Sequence, residues 1–380
     1  MKILIVGISV RAMVESAVHS GYAVMALDAF GDQDLRALAE SFSLHHDLHS
    51  RYSSSALYRA SRQLSFDAVA YTSNLENHPE ILKRIAGRRP IIGNPPQAIR
   101  SVRDWKTLFS GLRQAGFNVP ETNFAGDNRR ADPGRRWLVK PLLSGGGQGI
   151  DFLRGSRLPG DSCMLQEYKP GKPCSASFVA DGRECVILGI SEQLIGMRPF
   201  GSRKFGYCGN ILPLPEALHS DAGKSILTQV RRLAAFLTKE HGLKGVNGMD
   251  FILDGRNICL TEVNPRYSAS MELVEQAYGL PVFHLHCQAV LEGKLPEFKL
   301  EKLLKTGRFF GKTILFAETD AHAPDTRNWP ARGIKDVPAS GEKLPAGGPI
   351  CTFLAGGRTY DETLAALTRQ AGILKEEIHA

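Results

Sequence analysis

The stretch G-V-N-G-M-D-F-I-L-D-G-R-N-I-C-L-T-E-V-N-P-R, Gly245–Arg266, decides how this chain is read. Two apolar runs flank a turn of Asp, Gly, Arg and Asn, the composition of a β-hairpin. Side chains alternate along a strand, so Glu262 and Asn264 share a face. A loop of about three residues centred on Arg256 sets Asp250 opposite Glu262, giving that face two carboxylates and a carboxamide oxygen. Like charges paired across strands repel unless neutralised, and a hard cation such as Mg²⁺ would neutralise them. Arg266 continues the same alternation, and Pro265 stiffens the exit from the strand. A guanidinium beside a metal pair suits a transferring phosphoryl group. The competing reading is a surface hairpin with two solvated acids.

A second stretch, R-R-W-L-V-K-P-L-L-S-G-G-G-Q-G-I from Arg135 to Ile150, offers a short strand ending in Lys140 and then a glycine loop. Backbone N–H groups of Ser144, Gly145, Gly146, Gly147 and Gln148 can approach phosphate oxygens closely, with Lys140 as a point charge. No Gly-Lys-Ser/Thr closes the loop, so it is not a Walker loop. Downstream, M-L-Q-E-Y-K-P-G reads as a buried strand running into a turn, where Gln166, Glu167, Tyr168 and Lys169 can read an adenine edge.

Lysine strand, glycine loop, strand-to-hinge segment and an acidic hairpin ending in E-V-N-P-R, in that order, resemble the ATP-grasp superfamily. The opening phrases G-I-S-V-R-A and D-A-F-G-D-Q-D-L are similar to a subgroup of carboxylase-related ligases that includes the tyramine–glutamate ligase of methanofuran biosynthesis. This resemblance implies an α/β ATP-grasp fold, with two α+β lobes gripping ATP. A Rossmann-like parallel-sheet domain would precede it at residues 1–96 and a small β-rich domain follow at 307–380. The core would span 97–306, with a lid lobe near 118–190 and a metal-binding lobe near 191–306.

It further implies an ATP-dependent carboxylate–amine ligase acting through an acyl phosphate, in one-carbon cofactor biosynthesis, with ATP and Mg²⁺ (Mn²⁺ as a substitute). Asp250, Glu262 and Asn264 would hold the metal. Arg266 and Lys140 would act in catalysis. Lys106, after Asp104, stands where such proteins often keep a first phosphate-contacting lysine. The sequence departs from the pattern after the hinge glycine, where Lys172 and Pro173 replace the usual ribose-holding acid. It departs again upstream of the long helix, where I-S-E-Q-L-I-G-M-R-P-F-G-S-R-K-F-G-Y replaces the Arg- and Gln-rich stretch of biotin- and purine-type carboxylases. Arg198, Arg203, Lys204 and Tyr207 become the candidates for substrate contacts. A carboxylase working through carboxyphosphate from bicarbonate is the alternative enzyme. A nucleotide-binding regulatory module is the alternative class, disfavoured by the intact Asp250, Glu262, Asn264 and Arg266 set.

The rest of the 380 residues sets limits. Strand and helix signals alternate up to about residue 95, a βαβ pattern with a parallel sheet, and Gly7 lacks the dinucleotide fingerprint. N-P-P at Asn94 marks a boundary. Helical spacing runs from Ser220 to His241, and a polar loop from Ala125 to Arg136. The net charge of +8 is dispersed in short pairs such as Arg88-Arg89, Arg129-Arg130 and Arg135-Arg136, which points to anionic small substrates rather than nucleic acid. Seven scattered cysteines form no C-x-x-C pair and read as reduced thiols. Neither His45–His49 nor the His284/His286 pair has zinc-ligand spacing. No apolar run reaches a membrane span, and Met1–Val6 is too short for a signal peptide, so a cytoplasmic enzyme is expected, with no membrane partner and a homodimer as the assembly to test.

Overall fold

The computed structural model describes residues 1–125, 127, 131–155, 160–218, 221–304 and 307–379. Parts of the polar loop expected at 125–136, the Arg129-Arg130 pair, Ser220 and the boundary expected at 306 lie outside the described residues. The first 95 residues build a five-stranded parallel sheet in the order Glu40–Ser43, Ala23–Asp28, Lys2–Val6, Ala68–Tyr71, Ile91–Ile92. Its three central strands are near-continuous apolar runs because both faces are covered, whereas the edge strand Glu40–Ser43 is polar. Ile3 and Ile5 pack toward the helix Arg11–His19 and, beyond it, toward Val274 and Phe283. Leu4 and Val6 face Leu57, Tyr71 and Leu82 on the other side. One face of this unit is therefore fused to the helices Ala269–Tyr278 and Val282–Cys287.

The centre of the molecule is an eight-stranded antiparallel sheet. Its order is Asn257–Asn264, Lys244–Asp254, Lys172–Asp181, Cys185–Ile195, Tyr207–Leu212, Phe309–Phe316, Pro349–Gly357 and Ile334–Lys335. The helix Asp221–His241 lays Ile226, Val230, Leu233, Ala234 and Leu237 onto one side, the spacing read from the sequence. Phe309–Phe316 pairs directly with Tyr207–Leu212, so this strand, Pro349–Gly357 and Ile334–Lys335 extend the central sheet, while Ala321–His322 and Lys343–Leu344 pair apart as a two-stranded sheet. A separate four-stranded sheet, Thr122–Asn123, Cys163–Glu167, Trp137–Pro141 and Asp151–Phe152, carries the glycine loop between its last two strands. Among the described residues no helix is long and apolar enough to cross a membrane. All seven cysteines are free and five are buried.

Arg11, 1% exposed, joins the N-terminal, central and C-terminal parts. Its Nε donates to Asp336 Oδ1 at 2.9 Å, its Nη2 to Asp336 Oδ2 at 3.1 Å and to Glu272 Oε2 at 3.2 Å, and its Nη1 to Glu15 Oε2 at 2.8 Å. Lys312 closes on the other side of Glu272. Burial opposes ionisation of Glu272, but Arg11 and Lys312 outweigh it and hold its carboxyl well below the usual range. Removing one member of a buried ion network strands the others. Arg11→Leu should therefore lower the unfolding free energy by about 3–5 kcal/mol. An unchanged urea midpoint would show that the network does not hold these parts together.

Candidate active site

The acidic hairpin forms with Asp250 paired to Glu262, by a different route from the one the turn composition suggests. The loop is Gly255-Arg256, since Asp254 pairs with Asn257. Left uninterrupted, that register would shift the two acids out of opposition. A bulge at Thr261, whose Oγ1 donates to the Asp250 carbonyl at 3.0 Å, restores it. Asn264 Nδ2 donates to Asp250 Oδ2 at 3.0 Å, and Asn264 Oδ1 accepts from Arg266 Nη2 at 3.2 Å. The carboxamide thus turns its nitrogen, not the expected oxygen, toward Asp250, because a carboxylate takes the donor and a guanidinium takes the oxygen.

Three cations surround the pair. Lys140 reaches Gln166 Oε1 at 3.1 Å, and burial lowers its pKa against the pull of Glu262 and Asp250. Arg266 is buried, which disfavours its charge, but Glu76 more than compensates with an ion pair of 2.7 Å. Arg103, at the end of the helix Pro96–Arg103, donates to Glu262 Oε1 at 3.0 Å, to Asn77 and to the Leu142 carbonyl. Among the described residues its Nε is buried without a hydrogen-bond partner, as is Nε2 of Gln166. Unpaired buried donors are costly, and phosphate oxygens and an adenine edge are acceptors that would satisfy them.

Arg103 is the residue the sequence reading missed. Asp104 ends one helix and caps the next, Trp105–Gln114, accepting from the Thr107 N–H at 3.2 Å. That break puts Arg103 and Lys106 on different helices. Lys106 pairs with Asp127 at 2.7 Å on an exposed face and is not brought to the acidic pair. Glu76 and Asn77 were also missed, although they follow the strand Ala68–Tyr71, at the carboxyl edge of a parallel sheet where ligands of α/β sheets bind.

The glycine loop lies against the Phe205–Tyr207 segment, with Tyr207 N–H donating to Gly146 O at 3.0 Å. A Cβ on Gly147, where φ is +75°, would stand 1.9 Å from the Phe205 carbonyl oxygen, so only glycine fits. Ser144 Oγ donates to Pro141 O at 3.3 Å, and Gln148 N–H to Gly145 O at 3.2 Å. In the hinge, Glu167 and Tyr168 N–H groups are taken by the Glu121 and Arg136 carbonyls, and the Glu167 carboxylate by Lys169 at 2.9 Å and Arg135 at 3.2 Å. Tyr168 packs edge-on against Phe152. Gln166 is therefore the hinge side chain with a free donor.

Between the glycine loop, residues 201–207, the N-terminal sheet and the C-terminal strands lies a cavity of about 750 Å³. Arg203, Lys204 and Tyr207 line it, whereas Arg198 is not among its walls and offers its carbonyl to Lys375 at 3.5 Å. Lys204 is held by Asp151 at 2.6 Å. The acid missing after the hinge glycine is replaced by Lys172, paired with Glu192 at 2.9 Å and Glu216 at 2.7 Å.

Residues 102–270 match the family model described as ATP-grasp domain, so the chain carries an ATP-grasp domain. Over 93% of its length it is similar, at 24% identity, to an uncharacterized protein of Methanocaldococcus jannaschii, covering 88% of that protein. Its fold matches the biotin carboxylase domain of Hydrogenobacter thermophilus 2-oxoglutarate carboxylase, solved with MgADP and bicarbonate, at TM-score 0.72 and 14% identity over 97% of this chain and 89% of that one. It also matches L-amino acid ligase from Bacillus licheniformis at TM-score 0.68 and 18% identity, over 98% of each chain. The ATP-grasp fold is thus shared with both ligases and carboxylases.

Asp250 gives a pH signature. Burial and then Glu262 push its pKa up to about 6. A carboxyl whose native pKa is raised binds more protons native than unfolded, so its stabilising effect is lost as pH rises through about 6. Ligand-free Asp250→Asn should match wild type in melting temperature at pH 4 and exceed it at pH 8. The same melting difference at both pH values would remove Asp250 as its source.

Proposed function

We propose that the protein is an ATP-dependent carboxylate–amine ligase that forms an amide through an acyl phosphate and releases ADP and phosphate, in a one-carbon cofactor pathway. The observation that carries this reading is the partly buried Asp250–Glu262 pair ringed by Arg103, Lys140 and Arg266, in a chain whose glycine loop also lines a cavity large enough for organic substrates. The pair fits Mg²⁺, which takes carboxylate and phosphate oxygens and leaves part of its shell to water. Asp250 and Glu262 would hold the ion, joined by Asn264 once its amide turns. Bound there, the metal would supply charge neutralisation on the nucleotide phosphates.

The chain's own groups do the rest by position and charge. Lys140 and the free Nε of Arg103 would meet phosphate oxygens, and Gln166 Nε2 an acceptor on the adenine edge. Arg266 would stabilise charge on the transferring phosphoryl group, held in place by Glu76. Ser144 to Gln148 would cover the phosphates, and the packing of Gly147 on Phe205 would keep water from the acyl phosphate.

A carboxylase acting through carboxyphosphate is the second reading, favoured by the likeness to the bicarbonate-bound carboxylase domain. Release of ADP with a panel of carboxylates and amines, compared with bicarbonate alone, separates the two.

Glu262→Gln removes a negative charge facing Asp250 and should cut ADP formation at least about 100-fold while leaving the melting temperature at or above wild type. Near-normal turnover would overturn the metal assignment. An ¹⁸O label in the substrate carboxylate should appear in the released inorganic phosphate, because that oxygen leaves with the phosphoryl group when the amine attacks. Label in AMP, or pyrophosphate among the products, would overturn the acyl-phosphate route.

A further inference from the structure

Carboxylates share the lining of the 750 Å³ cavity with Arg203 and Lys204. Asp32 and Asp336 line it, with Asp28 and Asp34 packed behind. Three of these four acids have evident partners. Asp336 takes Arg11 on both oxygens, Asp34 accepts the N–H groups of Asp336 at 2.9 Å and Val337 at 3.0 Å, and Asp28 Oδ1 accepts from Gly31 N–H at 2.9 Å. Asp32 is different. It is 9% exposed and makes no cap to the helix Gln33–Leu38 that it precedes, and its Oδ2, like that of Asp28, is buried without a hydrogen-bond partner among the described residues.

Charge in this region does not balance. Among the described residues, Glu15, Asp28, Asp32, Asp34, Glu272 and Asp336 share only Arg11, Lys312 and Lys335 as ion-pair cations. Burial, and after it the charges of Asp336, Asp28 and Asp34, raise the pKa of Asp32 well above the usual carboxylate range. A buried unpaired carboxylate is expensive, and a cation from outside would relieve the surplus charge. The cavity is too large for an ion, and among the described residues no three His, Cys, Asp or Glu side chains are grouped to hold a metal. Ile8, Phe30, Ile314, Phe316 and Ile350 instead give it apolar walls.

We propose that this cavity binds a small organic amine, its apolar body against Phe30 and Phe316 and its ammonium group seated on Asp32. The assignment of that molecule as the amine substrate rests on the ligase reading above; the binding site itself does not. Arg203, which lines the same cavity, is left to the anionic partner, since Lys204 is already paired with Asp151.

The test is calorimetric titration of the full chain, with MgADP present, using phenethylamine and n-butylamine against their alcohols, 2-phenylethanol and n-butanol. Wild type should bind at least one amine ten or more times more tightly than its alcohol. In Asp32→Asn that preference should fall below threefold, with the MgADP affinity unchanged within twofold, and Asp32→Glu should retain it. Equal binding of amine and alcohol by wild type, or a preference that survives in Asp32→Asn, overturns the proposal. Should Asp32→Asn not fold, the wild-type comparison decides alone. Amide formation measured separately keeps the two readings apart. Asp32-dependent amine binding without any amide product sinks the ligase reading and leaves the site, whereas amide product without that preference does the reverse.

Discussion

Two carboxylates that face each other in a partly buried place call for cations, and the opposition of Asp250 and Glu262 organises what surrounds it. Lys140 arrives from the four-stranded sheet, Arg103 from the end of a helix and Arg266 from the strand exit. Each cation in turn needs a partner to stay aimed. Gln166 holds Lys140, Asn77 and the Leu142 carbonyl hold Arg103, and Glu76 holds Arg266. The partners come from the N-terminal sheet and the hinge, so a local repulsion on one hairpin is answered by every layer of the fold. On the proposed reading, a metal and a polyphosphate would enter a setting whose charges are already arranged for them, which is the condition for electrostatic catalysis with little reorganisation.

The N-terminal unit is tied to the core by the same logic. Arg11 is clamped between Glu272 and Asp336, and Asn94 donates to Asn247 Oδ1 at 2.7 Å while its own Oδ1 accepts from Lys244 N–H at 2.7 Å. His286, kept neutral by burial with its pKa near 4, accepts from Val246 N–H and meets the Ile92 carbonyl. It joins the sheets as a hydrogen-bonding spacer, in keeping with a histidine that is no metal ligand. These contacts fix the parallel sheet so that its carboxyl edge supplies Glu76, Asn77 and Asp32 to the central cavity and site.

Much of the site could be read directly. The alternation in E-V-N-P-R put Glu262 and Asn264 on one face, and the apolar rhythm of Ile226 to Leu237 is the helix that backs the sheet. Where the reading diverged, the cause was a short-range rule overruled by a longer-range contact. A two-residue turn plus a bulge at Thr261 gave the pairing that a three-residue loop had suggested, because composition does not distinguish an extra residue in the loop from one in the strand. Lys106 stood in the expected position of sequence, but the break at Asp104 gave that place to Arg103. The strands after residue 307 read as a domain apart, and three of them join the central sheet, since strand patterning says nothing about which edge a strand pairs with.

By itself the sequence determined the local elements: the hairpin and its acids, the glycine loop, the hinge strand and the alternating N-terminal unit. All of these depend on periods of two or 3.6 residues and on turn chemistry, which act over a few residues. Only the tertiary structure decided which cations meet the acids, that Phe205 closes the glycine loop, and that Asp32 and Asp336, far apart in the chain, share one cavity. Those pairings are set by burial and charge across elements distant in sequence, and Coulomb and desolvation terms depend on the distances that folding creates.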